Sequence, residues 1–203
     1  METIEQTKLI DNIHERVVDD LKTRLTQGSR VSIAAASFSI YAFEALKKEL
    51  GNIAELRFIF TSPTFIKEKT QKEKREYYIP KLNRERNLYG TEFEIRLRNQ
   101  LSQKAIAKEC ATWIRQKARF RSNASQEQMP NFLHLQNGSS YLYSPFNNFT
   151  TTQLGCERGN EICNFVNVLP PSTAKAYLGI FNEQWNNDKK FRDVTERVLE
   201  YIE

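Results

Sequence analysis

The chain has 203 residues, enough for one sizeable domain with its own hydrophobic core. It carries 30 Lys and Arg against 25 Asp and Glu, a net charge of +5, and no run of about 18 apolar residues, which excludes a membrane-spanning helix. Residues 1–25 are acidic and amphipathic, without the basic start and apolar run of a signal peptide, so the expected compartment is the cytoplasm.

In chain order, Ile10, Ile13, Val17, Leu21 and Leu25 recur at three- and four-residue steps and predict an amphipathic helix within residues 1–28, stopped at Gln27-Gly28. Val31 to Ser37 reads as a strand, Tyr41 to Leu50 as a helix closed by Gly51, and Glu55 to Phe60 as a second strand ended by Ser62-Pro63. Strand–helix–strand order predicts a parallel pair. Residues 67–88 have little hydrophobic periodicity and read as an exposed excursion. Residues 91–98 fit two patterns: Thr91-x-x-Glu94 is a helical capping box, while Phe93, Ile95 and Leu97 alternate with charges as in a strand. Ile106, Cys110, Trp113 and Ile114 predict a helix from about Ser102 to Lys117. Short strands follow at Ala118–Ser122, Phe132–Gln136 and Ser140–Tyr143. After Pro170-Pro171, helices are expected over Thr173–Trp185 and Phe191–Ile202. The last apolar stripe is still running at the final residues, which suggests a longer parent protein.

Charge is unevenly placed. Residues 67–119 hold 15 of the 30 Lys and Arg and only 7 of the 25 Asp and Glu, a local excess of +8, so the rest sums to −3. Such a block is either a solvated face of alternating charges or the footprint of phosphate-backbone contact. Tyr77, Tyr78, Tyr89 and Phe93, interleaved with the charges, bring the second reading closer to even with the first because aromatic faces stack on bases. The cysteines (Cys110, Cys156 and Cys163) are odd in number and contain no Cys-x-x-Cys pair. A disulfide framework and a cysteine zinc site are therefore not expected, and the three read as packing residues. No metal site is implied. The sequons at Asn123, Asn137 and Asn148 read as chance. His14, beside Glu15 and Arg16, reads as a surface residue, and Trp113 and Trp185 as core.

The most informative stretch is 134–155: His134-Leu135-Gln136, then Asn147-Asn148-Phe149-Thr150 and Leu154-Gly155. It resembles the signature of phospholipase D-like phosphodiesterases, in which a strand bears His-x-Lys and a following turn carries Ser-Asn-Phe-Thr. The resemblance implies an α/β fold, a mixed sheet flanked by helices in a single domain. It implies His134 as the nucleophile toward phosphorus, with Gln136 in place of the Lys and Asn148, Asn147 and Thr150 on the phosphoryl oxygens. Residues two apart on a strand share a face, so His134 and Gln136 are expected to project together toward Asn148. In that family an active site uses two motifs. This chain holds one, so catalysis would need a homodimer. The cation is missing, and so is the acid, since residues 137–145 contain none; losing a cation at such a site costs several kcal/mol of transition-state stabilisation. Glu157 or Glu161 would have to orient the His, and Arg96, Arg98 or Arg121 to replace the Lys. As a lone residue, His134 also reads as a hydrogen-bonded histidine in a half-buried strand.

The likeness extends upstream. Phe60–Phe65, Tyr78–Arg86, Tyr89–Ile95 and residues 148–159 are similar to the N-terminal domain of bacterial Snf-type helicases. That resemblance implies DNA, or RNA, as partner, with Arg84, Arg86, Arg96 and Arg98 on the backbone. It implies an ATP- and Mg-dependent motor elsewhere, since this chain has no Gly-x-x-x-x-Gly-Lys-Ser/Thr loop and no cofactor of its own is expected. The organisation read from sequence is a helical segment over 1–28, a phospholipase D-like domain over 29–171 with a basic insert at 67–119, and C-terminal helices over 172–203. The leading expectation is a catalytically degenerate domain that binds the nucleic-acid backbone. A metal-independent dimeric nuclease working through His134 and an inert interaction module are the rivals.

Overall fold

The computed structural model describes residues 6–64 and 92–203, with side chains from residue 101 onward in the second stretch. Arg84 and Arg86 lie outside the described residues, as do the side chains of Arg96 and Arg98. The elements are β1 (Lys8–Ile10), α1 (Val17–Arg24), β2 (Arg30–Ala35), α2 (Ile40–Leu50), β3 (Glu55–Phe60), α3 (Glu92–Lys117), β4 (Ala118–Asn123), β5 (Phe132–Gln136), β6 (Ser140–Ser144), β7 (Val166–Leu169), α4 (Pro171–Trp185), β8 (Phe191–Asp193) and α5 (Thr195–Ile202). Among the described residues, the eight strands join one mixed sheet in the order β1-β7-β6-β5-β2-β3-β4-β8, flanked by helices, as the α/β expectation required. β2 and β3 are parallel, as are β3 and β4, while β5 runs antiparallel against β2.

Two expectations are corrected. Residues 8–10 are an edge strand, not the first turns of a helix, because Asp11 Oδ1 accepts from the backbone of Ile13 and His14 and turns the chain before α1. Residues 191–193 are likewise a strand, and α5 starts only at Thr195, whose N–H donates to Asp193 Oδ1 at 2.9 Å. The ambiguous stretch 92–98 is helical backbone, continuous with α3.

Strand alternation divides the core. Val31, Ile33, Leu56, Phe58, Phe120, Leu133, Leu135, Tyr141 and Tyr143 face one side, where they pack with residues of α1, α2, α3 and α5. Trp113 belongs there, its indole N–H donating to Leu50 O at 3.0 Å. Cys110 is buried in the same layer, with its thiol pushed up to about 12 by burial and the nearby Glu44 charge. Cys156, by contrast, is exposed, so its reading as a packing residue does not hold. The opposite face buries a smaller cluster: Ala34, Ile59, Phe132 and Leu142, with Ala174 and Phe181 of α4 and Phe191 of β8. Burying each large apolar side chain stabilises the fold by about 1.5–3 kcal/mol. Among the described residues, no helix is long and apolar enough to cross a membrane.

Candidate functional site

Register places a polar row across the face that carries α4. His134 on β5 is paired with Ser32 on β2, Ser32 with Arg57 on β3, and Arg57 with Arg119 on β4. Beside it runs a second row, Ser140, Gln136, Arg30 and Glu55. One step toward the C-terminal end of β2 the corresponding row is apolar, Phe132, Ala34 and Ile59, and belongs to the cluster that packs with α4. Where the polar rows begin, a cleft of about 190 Å³ opens, lined by Arg30, Ser32, Glu55, Arg57, His134, Gln136 and, from α4, Leu178 and Asn182.

Arg57 is the centre of the cleft's chemistry. Its Nη2 donates to Ser32 Oγ at 3.0 Å, and its guanidinium lies 5.1 Å from the Phe181 ring centroid and 5.6 Å from that of Trp185. Trp185 is therefore half in the core and half a support for a cation. Among the described residues no carboxylate ion-pairs with Arg57; Glu55 instead faces Arg30 at 3.5 Å. Burial, and then the Arg30 charge, lower the Arg57 pKa against the pull of Glu55. His134 is 1% exposed. Its pKa is pushed down to about 4 by burial and by the Arg57 charge, so the imidazole is neutral at pH 7.

Among the described residues, four buried side-chain polar atoms lack a hydrogen-bond partner, and three of them belong to this cleft: Arg57 Nε, His134 Nε2 and Asn182 Oδ1. Buried polar atoms are nearly always satisfied, by protein or by something bound, because leaving one unmade costs about 1–3 kcal/mol. That three of the four fall on residues lining one cleft marks it as the candidate site.

The other half of the motif lies elsewhere. Asn147 and Asn148 sit on a loop fastened past the end of β2: Ala36 N donates to Asn147 O at 2.8 Å and Phe149 N to Ser37 O at 2.8 Å. Asn148 Oδ1 accepts from Ser37 Oγ at 2.8 Å. Asn147 Oδ1 accepts from Asn131 Nδ2, whose own Oδ1 accepts from Thr61. Thr150 Oγ1 accepts from Gln153 N, and Gln153 Oε1 in turn accepts from Asn147 N. Phe149 stacks on Phe38 at 5.2 Å. Leu154 O receives Val18 N of α1 at 2.9 Å. The expected geometry is thus corrected: His134 and Gln136 share a face, but Asn148 does not line their cleft. The strand ends before the turn begins, and the turn is spent on holding the end of β2.

Arg121 does not line the cleft either, since its guanidinium is held by the Trp185 and Phe191 carbonyls and by Asp188. Glu157 and Glu161 are exposed on the loop before β7 and are not in the cleft lining. His14 is a surface residue, bonded to Asp11 at 2.7 Å. The cations that stand by His134 are Arg30 and Arg57, which the motif did not indicate. A signal for Arg57 was present: in Glu55-Leu-Arg-Phe-Ile-Phe it shares a strand face with Ile59, so a charge occupies a face that must pack.

No known family profile matches the sequence, and no curated protein matches it. Among solved structures the chain is similar to a polyphosphate kinase from Porphyromonas gingivalis, at 10% identity and a TM-score of 0.48. The likeness covers 95% of this chain and 24% of that one, so the chain spans about a quarter of the enzyme's length. A likeness this distant carries no argument about chemistry.

Proposed function

We propose that this protein binds the phosphates of a nucleic acid without cleaving them, as an accessory domain beside an ATP-driven motor. One observation carries the reading: a half-buried guanidinium, Arg57, without an ion-paired carboxylate among the described residues, opening on a cleft it shares with Arg30 and His134. A desolvated cation of this kind is completed by an anion. The +8 block at 67–119 and its resemblance to Snf-type helicase N-terminal domains support a nucleic acid as the polyanion and the cytoplasm as the compartment. Catalysis is disfavoured by the imidazole's surroundings. Among the described residues His134 Nε2 has no partner, and the cleft's one carboxylate, Glu55, is engaged by Arg30. A dimeric nuclease needs two such His on one phosphorus, whereas His134 is 1% exposed on the floor of a sheet.

The test is anisotropy of labelled single- and double-stranded DNA and RNA of arbitrary sequence across about 50 to about 200 mM salt. Sequence-independent binding is expected, with a log–log salt slope that Arg57→Met makes shallower by about one. Absence of binding at the lowest salt overturns the reading. Cleavage in the presence of chelator, lost in His134→Ala, replaces it with the nuclease.

A further inference from the structure

The cleft brings cations together with polar atoms that have no partner among the described residues, and that combination specifies more than a negative charge. Its floor is sheet, from β5, β2 and β3, and Leu178 and Asn182 of α4 form a wall. Three of its lining residues, on three different elements, carry a buried polar atom with no partner among the described residues: Arg57 Nε on β3, His134 Nε2 on β5 and Asn182 Oδ1 on α4. Arg57 can only donate. The neutral imidazole can donate or accept through Nε2 according to its tautomer, and the Asn182 amide can donate or accept according to which end it presents.

We propose that this cleft takes a terminal phosphate monoester, the phosphorylated end of a nucleic-acid strand, in preference to an internal phosphodiester. The inference rests on the nucleic-acid reading above and narrows it. An internal diester has two non-bridging oxygens, both acceptors, and chain leaving on both sides. A monoester has three terminal oxygens for the three polar side chains that line the cleft from three elements and chain on one side only, which suits a cleft of about 190 Å³ walled by α4. Toward a dianion, Asn182 donates through its amide nitrogen; toward the monoanion, its Oδ1 accepts from the phosphate hydroxyl. The charge is matched as well. Arg57 and Arg30 face one carboxylate, Glu55, so the cleft carries an excess cation before the ligand arrives. Phe181 and Trp185 lie against the Arg57 guanidinium, which preorganises it at little entropic cost.

The experiment compares one single-stranded oligonucleotide with a 5′-phosphate, a 3′-phosphate or hydroxyls at both ends, bound to the full chain. A phosphorylated end is expected to bind about tenfold tighter or more than the hydroxyl form. Asn182→Leu should remove that difference, and Asn182→Ser, which keeps a donor and acceptor, should restore part of it. Inorganic phosphate and a nucleoside monophosphate are then added as competitors. If they remove only the end-dependent gain, the phosphoryl group is the recognised chemistry and the strand supplies the rest of the affinity. If a free nucleotide binds as tightly as the phosphorylated strand, the ligand is a small molecule and strand-end recognition is overturned. Equal affinity of the phosphorylated and hydroxyl oligonucleotides overturns the inference and leaves the backbone reading standing. Binding of neither overturns both.

Discussion

The two ends of the β2–β5 strand pair treat polar groups in opposite ways. At the C-terminal end of β2, Asn131, Asn147, Asn148, Thr150 and Gln153 bond to one another, to Ser37 and to Thr61. Toward the N-terminal end, Arg57, His134 and Asn182 each present a buried atom with no partner among the described residues. Both regions bear asparagine and serine, and those residue types alone do not separate them. What separates them is completion. A satisfied network stabilises and fixes a loop, whereas a half-satisfied one destabilises unless something else completes it. The loop therefore reads as architecture and the cleft as a site, although the asparagines are the part of the motif that looked most like chemistry.

The largest expected effect tests the architectural end. Gly155 has φ +78°, and a Cβ built there would meet Asn12 Oδ1 at 2.5 Å and Arg16 Cβ at 3.1 Å. Asn12 cannot give way freely, since its Nδ2 donates to the carbonyls of Gln153 and Asn164 and its Oδ1 accepts from Val17 N at the start of α1. Gly155→Ala is expected to lower stability by about 3 kcal/mol, from the left-handed conformation and the contact together, read as a fall in the urea midpoint. A loss under about 1 kcal/mol would mean that the loop is not the rigid end of the comparison.

The next effect belongs to the cleft. Because His134 titrates at about 4 when folded and near its ordinary 6.5 when unfolded, the unfolded chain takes up the proton first as pH falls. Stability from this group is present above 6.5 and is lost progressively toward about 4, by about 3 kcal/mol in all. Arg57, Arg30 and Glu55 are the charges that line the cleft with it, and Asn182 and Leu178 line it from α4 without charge. His134→Gln should flatten the stability profile between those two values, measured by urea unfolding at stepped pH. An unchanged slope means that the imidazole is not desolvated and that the two ends are more alike than the structure makes them.

The sheet itself was legible because its central strands obey simple rules. Glu55–Phe60 and Phe132–Gln136 are apolar runs of strand length between turn residues, and both appear with those bounds. The edges were not legible. β1 and β8 are three residues each, and Ile10 and Phe191 happen to fall on the helical spacing of the segments that follow them. Asp11, Asn12 at φ 57°, and Asp193 as acceptor for Thr195 mark the real boundaries, and each signal is a single residue. β7 (Val166–Leu169) was not read as a strand at all, since a four-residue run before Pro170-Pro171 resembles any loop exit. The site was half legible. His134 and Gln136 share a face because alternation is local, but Arg57, Ser32 and Asn182 reach them through strand order and the docking of α4. Those are long-range pairings, which no spacing in the sequence encodes.

The smallest effects give the sharpest contrast, because the two ends should answer the same kind of truncation with different signs of usefulness. Asn148→Ala removes the acceptor of the Ser37 hydroxyl and should cost about 1 kcal/mol while leaving nucleic-acid affinity alone. Arg57→Met removes a cation that is desolvated and, among the described residues, without an ion pair. It keeps an unbranched side chain for Phe181 and Trp185, and the thioether contacts offset the loss of the bond to Ser32. The expected cost is under about 0.5 kcal/mol, alongside the weakened and less salt-dependent binding predicted above. Thermal unfolding and anisotropy on the same two proteins check the pair. If Arg57→Met destabilises the fold as much as Asn148→Ala does, Arg57 is a structural cation, and the difference between the two ends of the strands is one of solvent exposure rather than of function.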